Sequence, residues 1–499
     1  GANIDVKVLT KSTFASILVC RHKIKGGVFV QRNKLYVDLM ALHSEVTGSC
    51  NFNVAKFGTE GSLRYIVDCG LFQEREHDDL NKSFPFDASL LNFGVITHNH
   101  VDHTGRMPLL AKQGFNGKFY MTETTSKLVP LALEDSHKVL QDVAKRKHVR
   151  PLYEETDVFK ALSMIRGCKY NEPIQVLPNI KITFLQNGHL MGAASVLLQI
   201  SYDGQDINWL FAGDYNNKNM FFDVPQIPQY IRDMPLNIVQ EATYGDMDST
   251  EIEPCFEKNI IECVKNGGTV IVPVFSLGRS QEILYVLKKL QMEGILDVNI
   301  PIYFDGKLAI RYTMLYVNDG LDIKPEMRDF LPKNLTYVDK TNRAQILNDT
   351  NVKIILSTSG MGSYGPAQVY IPEYITRKNA LIHFTGYCAE GTLGYKLKNA
   401  NLGEMVEMSG MVLKKRAQVE FTTEYSAHAK ADEMISFLKQ FNQPKLILIN
   451  HGEEDVKRIF AERVAEEVEL AKRVGILSRD YFFRVNQYGL EKTLSTKFE

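Results

Sequence analysis

His98-Asn-His100-Val-Asp102-His103 follows directly on the apolar run Phe93 to Thr97. No other stretch of the chain restricts its folding so tightly. Three imidazoles and a carboxylate within six residues are costly to crowd together unless a cation holds them. Zinc suits the task, because neutral imidazole and carboxylate oxygen are among its usual ligands. The apolar run reads as a strand, so the ligands are delivered where that strand ends. On an extended segment side chains alternate faces. The spacing therefore predicts His98, His100 and Asp102 on one side, with His103 turning in as the strand stops. One loop can then feed two adjacent metals, as in two-metal hydrolases. The chain has only 12 His among 499 residues, so the clustering argues for a motif rather than loose surface histidines.

The length allows two or three domains, each with its own core. A hydrophobic fraction of 44% and a charged fraction of 23% are those of a globular protein. The net charge of −1 provides no global field for a polyanion, so any nucleic-acid site must be local. Basic clusters at Lys145-Arg146-Lys147 with Arg150, and at Lys414-Lys415-Arg416, read as solvated faces. The seven scattered cysteines include no CxxC pair, which argues against a disulfide framework and a thiolate zinc site. No apolar run is long enough to span a bilayer and no signal-peptide core is visible. The expected location is cytoplasmic, with no membrane partner.

From Lys34 the pattern is β-rich. Strands are expected at Leu35–Leu42, Arg64–Val67, Ile180–Leu185, Ser195–Ile200 and Trp209–Ala212, with helical periodicity from Thr124 to about Arg166. Residues 1–33 are unassigned beyond one or two short strands. His189 in Asn-Gly188-His189-Leu-Met-Gly192, and Asp214 in Ala-Gly213-Asp214-Tyr215, stand at strand ends beside glycines that let backbone approach a metal closely. After about Gly245 three units of strand, Gly-rich turn and helix follow one another. Their turns are Ser276-Leu-Gly278-Arg279-Ser280, Ser359-Gly360-Met-Gly362-Ser-Tyr364-Gly365-Pro366 and Gly386-Tyr-Cys-Ala-Glu390-Gly391-Thr392-Leu-Gly394. The alternation predicts a second, parallel-sheet α/β domain. Helix N-termini along one sheet edge would be suited to phosphate. Ser276, Arg279, Ser359, Gly360, Gly391 and Thr392 are the expected phosphate contacts. The tail holds Ser426-Ala-His428 ahead of an amphipathic helix. A strand Lys445–Ile449 then ends in Asn450-His451-Gly452, followed by a helix from Asp455 to about Val474 and a closing β segment at Tyr481–Val485.

His98-x-His100-x-Asp102-His103, His189 and Asp214 resemble, in order and context, the ligands of the metallo-β-lactamase fold. Glu241 in Gln-Glu241-Ala-Thr-Tyr, His428 and His451 are similar to the three extra motifs of its β-CASP branch, as are the segments Phe275-Ser-Leu-Gly-Arg-Ser-Gln-Glu and Gly386 to Gly394. The nearest likeness is to the RNA cleavage-and-polyadenylation endonuclease and its bacterial and archaeal relatives, over roughly residues 35–455. The resemblance implies an α/β protein, an αββα metallo-β-lactamase sandwich interrupted by a parallel-sheet β-CASP domain. Its parts would be the first section of the sandwich at 34–244, the insertion at 245–420 and the second section at 421–499. Three positions depart from the family's pattern: Tyr364 for Gly, Tyr395 for a frequent Arg, and Lys430 for a common Asp, the last expected to loosen the orientation of His428.

With the resemblance, His98, His100 and His189 are assigned to one Zn2+ and Asp102, His103 and His451 to the other, with Asp214 bridging. The expected activity is that of a zinc-dependent ribonuclease, endo- or exonucleolytic, with a hydroxide made between two Zn2+ ions as nucleophile. His428, positioned by Glu241, would protonate the leaving ribose oxygen. Single-stranded RNA is the expected partner, and a homodimer or a processing complex is compatible with it. A DNA nuclease of the same branch, a small-molecule metallo-hydrolase and an inactive partner subunit are the rival readings. The complete ligand set and the large insertion speak against the last two. His383, inside the strand Ala380–Phe384, is expected in the core.

Overall fold

The computed structural model describes residues 34–43, 46–318 and 321–495. The short strands expected within residues 1–33 lie outside the described residues. The chain divides into two compact units, one of residues 1–218, 224–249 and 428–499, the other of 219–223 and 250–427.

In the first unit two sheets share one core. One has eight strands in the order Gly489–Ser495, Tyr481–Asn486, Leu35–Ala41, Asn51–Phe57, Ser62–Val67, Phe93–Val95, Lys118–Thr122 and Ile165–Cys168. The other has seven, in the order Val474–Ile476, Gln443–Asn450, Pro235–Glu241, Gln205–Phe211, Ala194–Tyr202, Ile180–Gln186 and Ile174–Leu177. Period-two patterning explains the arrangement. Leu35, Val37 and Leu39 turn into the shared core beside Ile182, Phe184, Val196, Trp209 and Leu448. Each such side chain contributes roughly 1.5–3 kcal/mol by leaving water. Tyr36 and Asp38 face the other way. Asp38 accepts two hydrogen bonds from Arg484 at 2.8 Å, and the guanidinium lies 4.0 Å from the Tyr36 ring centroid, which fixes the closing strand beside the first.

Outside the sandwich, helices cover both faces. Met107, Leu110, Val129, Leu133 and Val158 pack on the eight-stranded sheet. Met434, Leu438, Phe460 and Val464 pack on the seven-stranded one. The layers are thus α, β, β, α. The helical stretch expected from Thr124 to Arg166 is two helices, Glu123–Lys147 and Glu155–Ser163, because His148 takes a left-handed φ of 54° and Pro151 follows. The last helix is shorter than expected. It ends at Glu467, and the three-residue strand Val474–Ile476 falls in a stretch whose charge pattern still reads as helical.

The second unit is built on six parallel strands in the order Leu335–Val338, Ile302–Asp305, Lys353–Ser357, Thr269–Pro273, Ala380–Phe384 and Gln418–Phe421. Thr269–Pro273 is buried along its whole length, as a strand covered on both faces must be. The three strands followed by glycine turns are neighbours, with Ile271 paired to both Ile355 and Ile382. Their turns therefore share one sheet edge. The strands Ile302–Asp305 and Leu335–Val338 were not expected, since each has only four residues, too few for a period-two pattern to show. The hairpin Met405–Met408 with Met411–Lys414 was also not expected. Gln418–Phe421 was not expected either, and in the first unit neither were Asn51–Phe57, Lys118–Thr122, Ile165–Cys168, Ile174–Leu177, Pro235–Glu241 and Gly489–Ser495.

Candidate metal centre

Phe93–Val95 carries the chain to Thr97, whose backbone N–H donates to Asp68 Oδ1 at 2.8 Å and whose hydroxyl donates to Asp68 Oδ2 at 2.8 Å. The same hydroxyl lies 3.0 Å from His98 Nδ1. The segment then departs from the extended course expected of it. Val101–Thr104 is a helical turn with His100 as its N-cap, so Asp102 does not follow His98 and His100 by simple alternation. The bend puts His98 and His100 in one group and His103 in another. Gly70 makes the bend feasible, since a Cβ there would come within 1.5 Å of the Asp102 carbonyl oxygen. His103 Nδ1 is 2.8 Å from Asp68 Oδ2, which leaves Nε2 facing the carboxylates of Asp214 at 3.2 Å and Asp102 at 3.4 Å.

His189 arrives on a loop clamped by Asn187, whose carboxamide donates to the carbonyls of Ala212 at 3.0 Å and Asp214 at 2.8 Å. It also accepts from the His189 N–H at 3.2 Å. His451 closes the group from the end of Gln443–Asn450. It is held at φ 42°, a left-handed conformation that a residue bearing a Cβ tolerates only at some cost. Ser49 Oγ lies 2.9 Å from its Nε2. The rings of His43, His451 and His103 stack in sequence at 5.2 Å spacing.

Two donor sets result. His98, His100, His189 and Asp214 each offer an atom within 4.8 Å of the others, and so do His103, Asp214 and His451. Asp214 belongs to both. His98 Nε2 lies 3.6 Å and His189 Nε2 3.8 Å from Asp214 Oδ2, while His100 Nδ1 and His189 Nε2 are 3.4 Å apart. His98 Nε2 and Asp214 Oδ1 are buried and make no hydrogen bond among the described residues. Such orphaned atoms are costly unless something else satisfies them. Neutral imidazoles with a shared carboxylate are a donor set that fits a divalent cation.

The electrostatics agree with that fit at His98, His100 and His451. At His103 burial would lower the imidazole, but the charges of Asp214, Asp102 and Asp68 outweigh it and push it well above its ordinary pKa. Burial, and then the charges of His103 and His189, keep the His98 imidazole well below its ordinary pKa, so it is neutral and free to coordinate. Burial also lowers His100 and His451. Burial works against the Asp214 carboxylate, yet His103, His451 and His98 together hold it well below the usual range.

Beside these sets stand Glu241 and His428. His428 Nδ1 is 2.8 Å from Glu241 Oε1. The same oxygen accepts from the Tyr215 N–H at 2.8 Å, and Oε2 from the Thr243 N–H at 3.1 Å. Although Asp214, Glu241 and His428 also come within 4.8 Å of one another, the Glu241 carboxylate is fully engaged in hydrogen bonds. That suits an orienting group better than a ligand. Burial would lower the His428 pKa, but the Glu241 charge and hydrogen bond outweigh it and the net shift is upward. At Lys430, where loosening of His428 was expected, the ammonium lies 3.5 Å from the Tyr244 ring centroid, and His428 makes its bond to Glu241.

In the second unit the turn residues are largely occupied. The Arg279 guanidinium is buried and donates to the carbonyls of Thr385 and Tyr425, with Glu282 Oε2 3.7 Å from its Nε. Ser359 Oγ accepts from the Tyr364 N–H at 3.2 Å. Thr392 caps the following helix, accepting from the Tyr395 N–H at 3.3 Å and donating to Ala389 O at 2.6 Å. Gly360 packs on the Phe275 ring, where a Cβ would come within 2.7 Å. Ser276 is half-buried and Gly391 exposed with open space above it. His383 is buried with Nδ1 3.1 Å from Phe384 O and Nε2 3.1 Å from Asn259 Nδ2, a core histidine as expected.

Asp68 and Ser49 escaped the sequence reading. Asp68 carried a signal: a carboxylate between an apolar strand and Cys69-Gly70, held at φ 67°. Ser49 carried none, since a serine in a polar turn looks like any other turn residue.

The family model described as the Beta-Casp domain matches residues 280–397. The one described as the Zn-dependent metallo-hydrolase RNA specificity domain matches residues 412–474. A ribonuclease of Thermus thermophilus is 30% identical over 446 residues, covering 86% of this chain and 96% of its own. An RNase J-like protein of Methanocaldococcus jannaschii is 29% identical, covering 82% of this chain and 91% of its own. The cleavage and polyadenylation specificity factor subunit 3-I of Arabidopsis thaliana is 28% identical, covering 84% of this chain and 59% of its own. The chain belongs to the β-CASP family of metallo-β-lactamase-fold nucleases.

Proposed function

We propose that this protein is a zinc-dependent ribonuclease that hydrolyses phosphodiesters of single-stranded RNA in processing or decay. The observation that carries the reading is the double membership of Asp214, which joins two histidine sets into one site for a pair of ions. The names of the relatives, ribonuclease and polyadenylation factor alike, point to RNA as the polymer. In this reading His98, His100 and His189 hold one Zn2+, and Asp102, His103 and His451 the other, with Asp214 reaching both. Zinc in such paired sites supplies Lewis acidity towards phosphoryl oxygens and acidifies water towards neutral pH.

The chain's own groups supply the rest. Asp68 fixes which nitrogen of His103 turns inward, as partners of ligating histidines do. Glu241 holds the proton on His428 Nδ1, and its charge favours the imidazolium, so that Nε2 can give a proton to the leaving ribose oxygen. No helix among the described residues is long and apolar enough to cross a membrane. Work in the cytoplasm, as a homodimer or within a processing complex, fits this reading.

Asp102→Ala and His451→Ala are expected to abolish cleavage of 5′-labelled RNA and to lower zinc content by elemental analysis. His428→Ala is expected to abolish cleavage with zinc retained. Purified protein free of divalent metal, together with cleavage that survives Asp102→Ala, would overturn the assignment.

A further inference from the structure

The second unit exposes two aromatic rings strongly among its described residues, Tyr364 at 58% and Tyr395 at 39%. Tyr364 sits in the glycine turn after Lys353–Ser357, and Tyr395 in the first turn of the helix Leu393–Asn399, which follows the glycine turn after Ala380–Phe384. The two turns are clasped together. The Leu393 N–H donates to Ser363 Oγ at 2.9 Å and the Gly394 N–H to Met361 O at 2.8 Å. Each clasp lies within a few residues of one tyrosine. Tyr364 is further bracketed by its own turn, with its N–H on Ser359 Oγ at 3.2 Å and its carbonyl accepting from the Ser359 N–H at 3.1 Å. The backbone of Tyr395 is tied to the Thr392 cap. The rings are thus carried by backbone that cannot easily move, while neither ring packs on another and neither hydroxyl is hydrogen-bonded among the described residues.

An exposed tyrosine on a rigid turn loses little side-chain entropy when it stacks. Single-strand binders combine such rings with backbone donors and local positive charge, because every base has a π-face. The charge is present: Lys396 and Lys398 follow on the same short helix and are exposed, with Glu390 the one acid between Gly386 and Asn399. We propose that Tyr364 and Tyr395 form a stacking platform for unpaired bases of single-stranded RNA, so that this unit grips bases rather than phosphates alone. The proposal rests on RNA being the substrate and adds where its bases are held.

Steady-state cleavage of a 5′-labelled single-stranded RNA tests it. For Tyr364→Ala and Tyr395→Ala, KM is expected to rise about tenfold each, the scale of one lost stacking partner, with kcat within about threefold. Tyr364→Phe and Tyr395→Phe keep the ring and are expected to stay within about twofold of wild type. The same RNA with abasic nucleotides throughout the bound stretch should give one KM for wild type and alanine variants alike. Because both rings are exposed, circular dichroism melts should be unchanged. If KM is unmoved in both alanine variants and in the double variant, the rings do not stack on RNA and any role lies with a protein partner. If KM rises equally on abasic RNA, the contact is not to bases. If the wild-type protein cleaves no RNA at all, the ribonuclease reading fails and this proposal with it.

Discussion

Asp214 and Glu282 are both buried carboxylates, and the two units treat them in opposite ways. Around Asp214 the first unit gathers His98, His103, His189 and His451, and the carboxylate is held far below its ordinary pKa. Around Glu282 the second unit offers one guanidinium, from Arg279, at 3.7 Å. Burial wins there and pushes the carboxyl up to about 7. A buried negative charge kept ionised, with an oxygen lacking a hydrogen bond among the described residues, is arranged for a ligand that brings positive charge. A carboxyl allowed to take up a proton is arranged for packing. The difference separates a site built for chemistry from a network built for shape.

Asp68 offers the sharpest way to break that contrast. It touches His103 and Thr97 rather than lying among the donor atoms. If the first unit is organised around a metal, Asp68→Ala should lower metal affinity and cleavage by about 10- to 100-fold, the usual effect of losing such a partner. Metal titration of the chelator-stripped protein gives the affinity and RNA cleavage the rate. An Asp68→Ala protein that is less stable yet binds metal as tightly as wild type would make Asp68 a packing residue like Glu282.

Arg279 tests the other half. Its side chain donates to two backbone carbonyls and neighbours Glu282, so Arg279→Ala leaves buried acceptors without donors. The expected loss is about 3 kcal/mol of stability, at the low end for breaking a buried pair because Glu282 can protonate. In a unit of this size that lowers the melting temperature by roughly 5–10 °C. Arg279→Lys should recover little, since an ammonium cannot span both carbonyls. If Arg279→Ala melts like wild type but weakens RNA binding, the guanidinium serves the substrate instead.

The two regions were unequally legible in the sequence. His98 to His103, His189, Asp214 and His451 could be picked out because each breaks an apolar strand with a group that is expensive to bury. Strands such as Leu35–Ala41 were legible from their period-two runs, whereas the sandwich they build was implied only by the family resemblance. The helical turn at Val101–Thr104 was not legible, because it depends on Gly70 yielding space to a segment some 30 residues away. Ser49 was hidden for the same reason, its partner His451 being distant in sequence. In the second unit the glycine turns were plain. That Arg279 points inward was not, since an arginine after glycine reads equally well as an anion contact. Four-residue strands such as Ile302–Asp305 carry too few positions for periodicity to distinguish them from loop.

Glu282→Gln gives the smallest effect and isolates the pKa difference itself. An acid whose folded pKa lies above its unfolded value of about 4.3 takes up a proton more readily in the native state. It therefore favours folding most below the unfolded value, and that contribution is lost as pH rises towards about 7. The glutamine variant has no proton to lose. Its melting temperature should match wild type near pH 4 and exceed it near pH 7.5 by the equivalent of at most about 2 kcal/mol, because Arg279 forfeits its partner. Thermal melts at the two pH values decide the matter. A variant less stable than wild type at pH 7.5, but equal at pH 4, would mean that the Glu282 carboxylate is ionised and valuable in the native protein, and the contrast with Asp214 would then be one of degree.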